Sequence, residues 1–133
     1  MISSYARLEA LVTRPIYQLK AEFFKTLGHP ARIRILEVLR EGERAVNELI
    51  PEVGLEPSHL SQQLAVLRRA NLIRSRKAGP SVIYAVSEPR IFELLELAKA
   101  ILASSLTETR ELLEELEGLD VASTPPKRRR KAG

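Results

Sequence analysis

"EPSHLSQQLAVLRRANLIRSRKAGPSVIYAV", Glu56 to Val86, decides how this chain is read. Its first half is helical in pattern. Stepping about 100° per residue from Leu60, Leu64 and Leu67 fall within about 40° of the reference and form a narrow apolar stripe. Ser58, Gln62 and Arg69 fall near the opposite side, with His59 and Val66 flanking them. A helix that only has to stay soluble carries Glu and Lys on its outer face. This one carries hydroxyls, amides and arginines, and no acid follows Glu56. Its second half holds two β-rich runs, Ile73 to Lys77 and Val82 to Val86, around "AGPS", which is a hairpin signal.

Outward from that stretch the pattern is helical on both sides. Upstream, Val46 to Ile50 predicts a short helix that Pro51 ends, and "PEVGLEPS" joins it tightly to the helix from Pro57 to Ala70. Before it, Ile33, Leu36, Val38 and Leu39 predict a helix that runs to Gly42. His29 suits its cap and Pro30 its first position. Ile16 to Leu27 predicts another helix, with Ile16, Leu19, Phe23 and Leu27 on one face and Gly28 closing it in the left-handed conformation. Tyr5 to Val12 predicts a short helix of its own. Downstream, Ile91 to Leu102 predicts a long apolar helix that can continue to Leu116; Ser105 with Glu108 fits a capping box and marks a possible break. The Pro-rich, charged end, "ASTPPKRRRKAG", is expected to be disordered.

Two helices in a tight turn followed by a β-hairpin, inside an otherwise helical chain, make a winged helix-turn-helix, mainly α with a small β-hairpin. The expected organisation is an N-terminal helical dimerisation segment (1–22), the winged domain (23–88), a C-terminal dimerisation helix (89–117) and a disordered basic tail (118–133). A chain of 133 residues supports one modest core.

Charge supports a polyanionic partner. The net charge is +4, but residues 1–56 balance eight basic against eight acidic groups. Residues 57–86 carry five basic groups (Arg68, Arg69, Arg74, Arg76, Lys77) and no acid, residues 87–120 are net −6, and the tail is net +5. A stretch of thirty residues without one carboxylate predicts a surface that meets an anion. The outer face of the helix suits base edges. Gln pairs with adenine, Ser with several bases, Arg with guanine or phosphate, and Val touches a thymine methyl; a Glu there would be repelled by phosphates. The expected DNA-binding residues are Ser58, His59, Ser61, Gln62, Gln63, Arg68, Arg69, Arg74, Arg76 and Lys77, with bases meeting Ser58, Ser61 and Gln62 and with Gln63 and His59 at the edges.

Other function classes find little support. The sequence has no Cys, and therefore no thiol nucleophile or thiolate metal site. Asp120 is its single Asp, no nucleophile elbow surrounds any Ser, and the six Gly form no phosphate loop, so no enzyme is expected. No run approaches the roughly 18 apolar residues of a membrane span, and the N-terminus lacks a signal-peptide core, so a cytoplasmic location is expected. The competing reading is a winged helix that binds protein or RNA without an operator, since fold alone does not decide function.

"FFKTLGHPARIRILEVLREGERAVNELI" followed by "SHLSQQLAVLRRANLIRSRKAGPSVIYAV" resembles the ArsR/SmtB family of bacterial winged-helix transcriptional repressors, over roughly Phe23 to Leu102. The resemblance implies a homodimer joined through its first and last helices, an operator in double-stranded DNA with two-fold symmetry, and repression relieved by a signal, often a metal ion. The departures bear on that signal. The family's arsenic and cadmium sensors carry two Cys in an "ELCVCDL" segment; here "ERAVNEL" puts Ala45 and Asn47 at those positions. The zinc sensors place Asp and His ligands along the last helix, which here has no His. Zinc and its soft neighbours need sulfur or nitrogen donors. No metal, cofactor or metal response is therefore expected. In the helix from Ile91, apolar residues occupy most of the circumference, more than a surface helix of a small monomer can bury, which adds to the expectation of a dimer.

Overall fold

The computed structural model describes Leu8 and residues 13–123. Their elements follow in the order α1 (Ile16–Leu27), α2 (Pro30–Leu39), β1 (Arg44–Ala45), α3 (Val46–Val53), α4 (Pro57–Arg69), β2 (Ile73–Ala78), β3 (Ser81–Val86) and α5 (Arg90–Ser123). They make a winged helix-turn-helix. The chain divides into two compact units, one ending at Phe92 and one beginning at Glu93.

The first unit is built around α2 and α4. α2 starts as its sequence predicts: Pro30 occupies the first turn and the His29 imidazole Nδ1 accepts from the Ala31 N–H at 3.1 Å, which satisfies one of the donors a helix start leaves orphaned. Its buried face is Ile35, Leu36, Val38 and Leu39. α4 packs against it through Leu60, Leu64 and Leu67. Leu49 from α3 is fully buried as well, and Leu27, Leu72, Ile73 and Ile91 complete the core. Burying these leucines and isoleucines supplies about 1.5–3 kcal/mol each against leaving them in water.

Several local expectations change. Gly28 does not close α1 in the left-handed conformation; its φ is −74°, and its N–H reaches back only to the Lys25 carbonyl. Pro51 does not end α3. The helix runs on to Val53 and ends at Gly54, which has φ 76° and donates to the Ile50 carbonyl at 3.0 Å. Proline removes one donor there, while the residues after it can still bond backwards and Leu49 is held in the core; the left-handed turn, which glycine adopts without strain, is what stops the helix. Gly54, Leu55 and Glu56 then turn the chain into α4.

α4 ends in a Schellman arrangement. Asn71 has φ 61°, its N–H donates to the Arg68 carbonyl at 3.0 Å, and the Leu72 N–H donates to the Leu67 carbonyl at 3.1 Å. This turn hands α4 directly to the hairpin. β2 and β3 pair antiparallel from Ile73↔Val86 to Ala78↔Ser81, leaving Gly79 and Pro80 as a two-residue loop. Gly79 has φ 61°, the positive value that a type II′ turn requires at its first central position. A third strand, absent from the sequence expectation, completes the sheet: β1 pairs with β3 through Arg44↔Tyr84 and Ala45↔Ile83. Two residues are too short to show an alternating pattern.

The second unit is the remainder of α5. This helix spans 34 residues without the break allowed at Ser105, whose carbonyl instead accepts from the Thr109 hydroxyl at 2.9 Å. It also passes the boundary placed at residue 118. The expected helix over Tyr5 to Val12 lies outside the described residues except at Leu8, and the basic run Lys127 to Lys131 lies outside them altogether.

Candidate nucleic-acid interface

α4 presents its polar face because its apolar face is fully used. Ser58, His59, Ser61, Gln62, Arg68 and Arg69 are all exposed; Ser58, Gln62 and Arg69 lie opposite Leu60, Leu64 and Leu67, with His59, Ser61 and Arg68 on the flanks. No carboxylate stands on that helix. Proline in the first turn suits a position whose N–H needs no helical partner, and the arginines in the last turn agree with the helix dipole, which favours cations at the C-terminal end.

Gln63 is a correction. It was expected at the edge of the base-reading face, and the structure turns it inward: it is 8% exposed, the one buried polar side chain among the described residues. The Arg32 guanidinium donates from Nε to its Oε1 at 2.8 Å. The reason is angular. Gln63 lies about 60° from Leu60 and about 40° from Leu67, so the helix period places it at the edge of the packed stripe whatever its chemistry suggests.

The hairpin divides its cations between two faces. Side chains alternate along a strand, and antiparallel partners share a face. Ser75 pairs with Tyr84 and Lys77 with Val82, so these four share one face. That face adjoins α4: Arg68 donates to the Ser75 hydroxyl at 3.2 Å, and Val82 and Tyr84 line a cleft of about 280 Å³ together with Ser61, Ser81 and Asn47. Arg74 pairs with Ala85 and Arg76 with Ile83 on the other face. There Arg74 donates to the Val86 carbonyl at 2.9 Å, and Arg76 forms an ion pair with Glu43 at 2.8 Å. The structure thus sets Ser75, Lys77, Val82 and Tyr84 on the face beside α4, with Arg68 bonded to Ser75 and Ser61 in the cleft, and sets Arg74 and Arg76 on the opposite side of the sheet.

Asn47, Ser81 and Tyr84 were missed as members of this surface. In sequence Asn47 stands out only as the counterpart of a metal-binding cysteine, and the alternation along β3 is the signal that places Tyr84 with Lys77. The metal that the family resemblance brings does not fit here. At the start of α3, Ala45 and Asn47 offer a methyl group and an amide. Among the described residues no three His, Cys, Asp or Glu side chains group as a metal site. No described helix is long and apolar enough to cross a membrane.

Comparison with known proteins supports the same assignment. Residues 29–75, from the cap of α2 into β2, match the model of "Bacterial regulatory protein, arsR family". An uncharacterised HTH-type transcriptional regulator of Mycobacterium tuberculosis, Rv0081, is 54% identical over 105 residues, which are 78% of this chain and 92% of that protein. Its crystal structure superposes with a TM-score of 0.67, covering 73% of this chain and 98% of that one, at 55% identity. The transcriptional repressor BigR from Xylella fastidiosa superposes with a TM-score of 0.60 over 64% of this chain and 87% of its own, at 33% identity. The homodimeric winged helix-turn-helix DNA-binding domain of Mb0332 from Mycobacterium bovis, a possible ArsR-family regulator, gives 0.61 over 81% and 95%, at 25% identity. Identity this high, across nearly the whole of a regulator with the same winged architecture, makes the chain a member of the arsR family of bacterial regulatory proteins.

Proposed function

We propose that the chain acts as a homodimeric repressor on a two-fold symmetric operator in double-stranded DNA. α4 lies in the major groove with Ser58, Ser61 and Gln62 toward base edges and His59 beside them. Arg68, Arg69 and Lys77 meet the phosphates, with Arg74 and Arg76 on the outer face of the hairpin. The observation that carries this reading is the exposed, carboxylate-free polar face of α4, joined to the hairpin by Arg68 and Ser75. Groove reading needs such a face, and a protein-binding winged helix does not. No residue is assigned a catalytic role.

The dimer follows from what the single chain leaves uncovered. Ile16, Tyr17 and Phe24 on α1 are more than half exposed, as are Leu97, Ile101, Leu102, Leu106, Leu112, Leu113, Leu116 and Leu119 on α5. Apolar groups in such number mark an association surface. A second copy, joined through the N-terminal and C-terminal helices, matches the two-fold operator, because half-site spacing mirrors protein symmetry. On this reading residues 1–22 and 89–117 serve dimerisation, and the basic residues beyond α5 follow the duplex backbone. The repressor works in the cytoplasm, and its switching signal is something other than a metal ion.

Selection of bound sequences from a random DNA pool, with the mass of the complex measured by light scattering, tests the proposal. A palindromic motif bound by two copies is the expected result. Failure to enrich any sequence from the DNA pool would refute it.

A further inference from the structure

A polar contact inside the winged unit has no role in the surface described so far. Arg32, on α2, is half-buried. Its Nε donates to Gln63 Oε1 at 2.8 Å, and its Nη1 donates to the Thr26 carbonyl in the last turn of α1 at 3.0 Å. One guanidinium therefore joins three helices. The Thr26 carbonyl is one of those a helix C-terminus leaves without an internal partner, and a cation there also suits the helix dipole. Gln63 in turn is buried in the leucine stripe of α4.

This contact differs in kind from the packing around it. Leucine faces hold helices together but specify rotation weakly, because dispersion contacts are not directional. A hydrogen bond from a cation is directional and short. Rotation of α4 matters for reading: a turn of about 20° moves a side chain ~6 Å from the helix axis by about 2 Å. That exceeds the whole distance window of a hydrogen bond to a base edge. We propose that Arg32 and Gln63 are a positioning pair: they fix the rotational register of α4, and anchor it to the end of α1, so base selectivity depends on two residues that touch no DNA. The inference rests on the DNA-binding reading above.

The test uses the full chain and the sequence selected by the wild-type protein. Arg32→Met, Gln63→Leu, their double variant and Gln63→Glu are compared for operator affinity, base preference, salt dependence and thermal unfolding. Each single truncation is expected to lower specific affinity at least tenfold and to flatten base preference, with non-specific affinity and salt slope unchanged. The double variant should lose no more than the worse single one, since both remove the same link. Gln63→Glu should keep the wild-type preference, because a carboxylate still accepts from Arg32 and does not face the phosphates. That variant also serves if a truncation fails to fold. A folded Gln63→Glu protein that no longer binds would place Gln63 against DNA and overturn the inference. So would an Arg32→Met protein whose salt slope falls by about 0.9 per site, since that marks a lost phosphate contact. Unchanged affinity and preference in both truncations would overturn it too. A wild-type protein that selects no sequence at all fails the underlying reading, and the pair falls with it.

Discussion

The division of cations between the two faces of the hairpin makes a quantitative prediction about salt. Each phosphate neutralised adds about 0.9 to the slope of log affinity against log salt, through release of condensed counterions. Lys77 shares its face with Ser75 and Tyr84 beside α4, and it is exposed. Lys77→Ala should therefore flatten the slope of a dimer by about 2 units, one phosphate per protomer. Between ~50 and ~200 mM salt, that difference changes the ratio of affinities about tenfold. Arg76 carries the same charge one residue earlier but is ion-paired with Glu43 at 2.8 Å. Arg76→Ala should flatten the slope less, because a pair that is already neutralised releases fewer counterions. Glu43→Gln should have the opposite sign: freeing Arg76 steepens the slope by up to about 2 units. The pair is more than half exposed on both partners, so little folding stability is at stake in breaking it. Fluorescence anisotropy titrations of a labelled operator over a salt series measure all three. Equal slopes for wild type and Lys77→Ala would mean that this face of the hairpin does not meet the backbone. A larger loss from Arg76→Ala than from Lys77→Ala would reverse the assignment of the two faces.

Three other outcomes are expected. Gln62→Ala should cost about 1–3 kcal/mol at one base pair of each half-site and relax selectivity there, read by competition with single-base operator variants; unchanged preference would remove Gln62 from the reading face. Chelators and micromolar zinc, nickel or cadmium should leave operator affinity unchanged, because the positions of the family's soft ligands are Ala45 and Asn47 here; a reproducible tenfold shift, about 1.4 kcal/mol of coupling, would contradict this. Leu67→Ala should destabilise the winged unit by about 2.7–5 kcal/mol, since Leu67 is fully buried, and a thermal melt that barely moves would show that the site collapses around the loss.

What was legible in the sequence, and what was not, separates by the range of the interactions involved. The helix start at His29 and Pro30, the leucine stripe of α4 and the hairpin around Gly79 are local signals, each written within about ten residues, and the structure forms all of them. The two-residue strand β1 exists only because β3 lies beside it, and a run so short carries no periodicity of its own. The end of α3 lies three residues beyond the place Pro51 suggests, because a proline near a helix end removes only one donor and the left-handed Gly54 is what turns the chain. Gln63 shows the deeper limit. Its chemistry pointed to DNA and its angle pointed to the core, and the angle was already computable. What no local reading supplies is the partner that makes a buried amide tolerable: Arg32, thirty-one residues earlier, whose guanidinium satisfies the oxygen at 2.8 Å. A buried polar side chain without such a partner would cost on the order of 1–3 kcal/mol, so the two positions are coupled in a way that neither helix discloses alone. The same reasoning applies to Arg76. Its charge was read from the sequence correctly, but Glu43, thirty-three residues earlier, answers it. In a domain this small, whether a charged or amide group faces DNA or faces the protein is settled by residues brought together by the sheet and the helix crossing, and the interface therefore has to be counted in three dimensions.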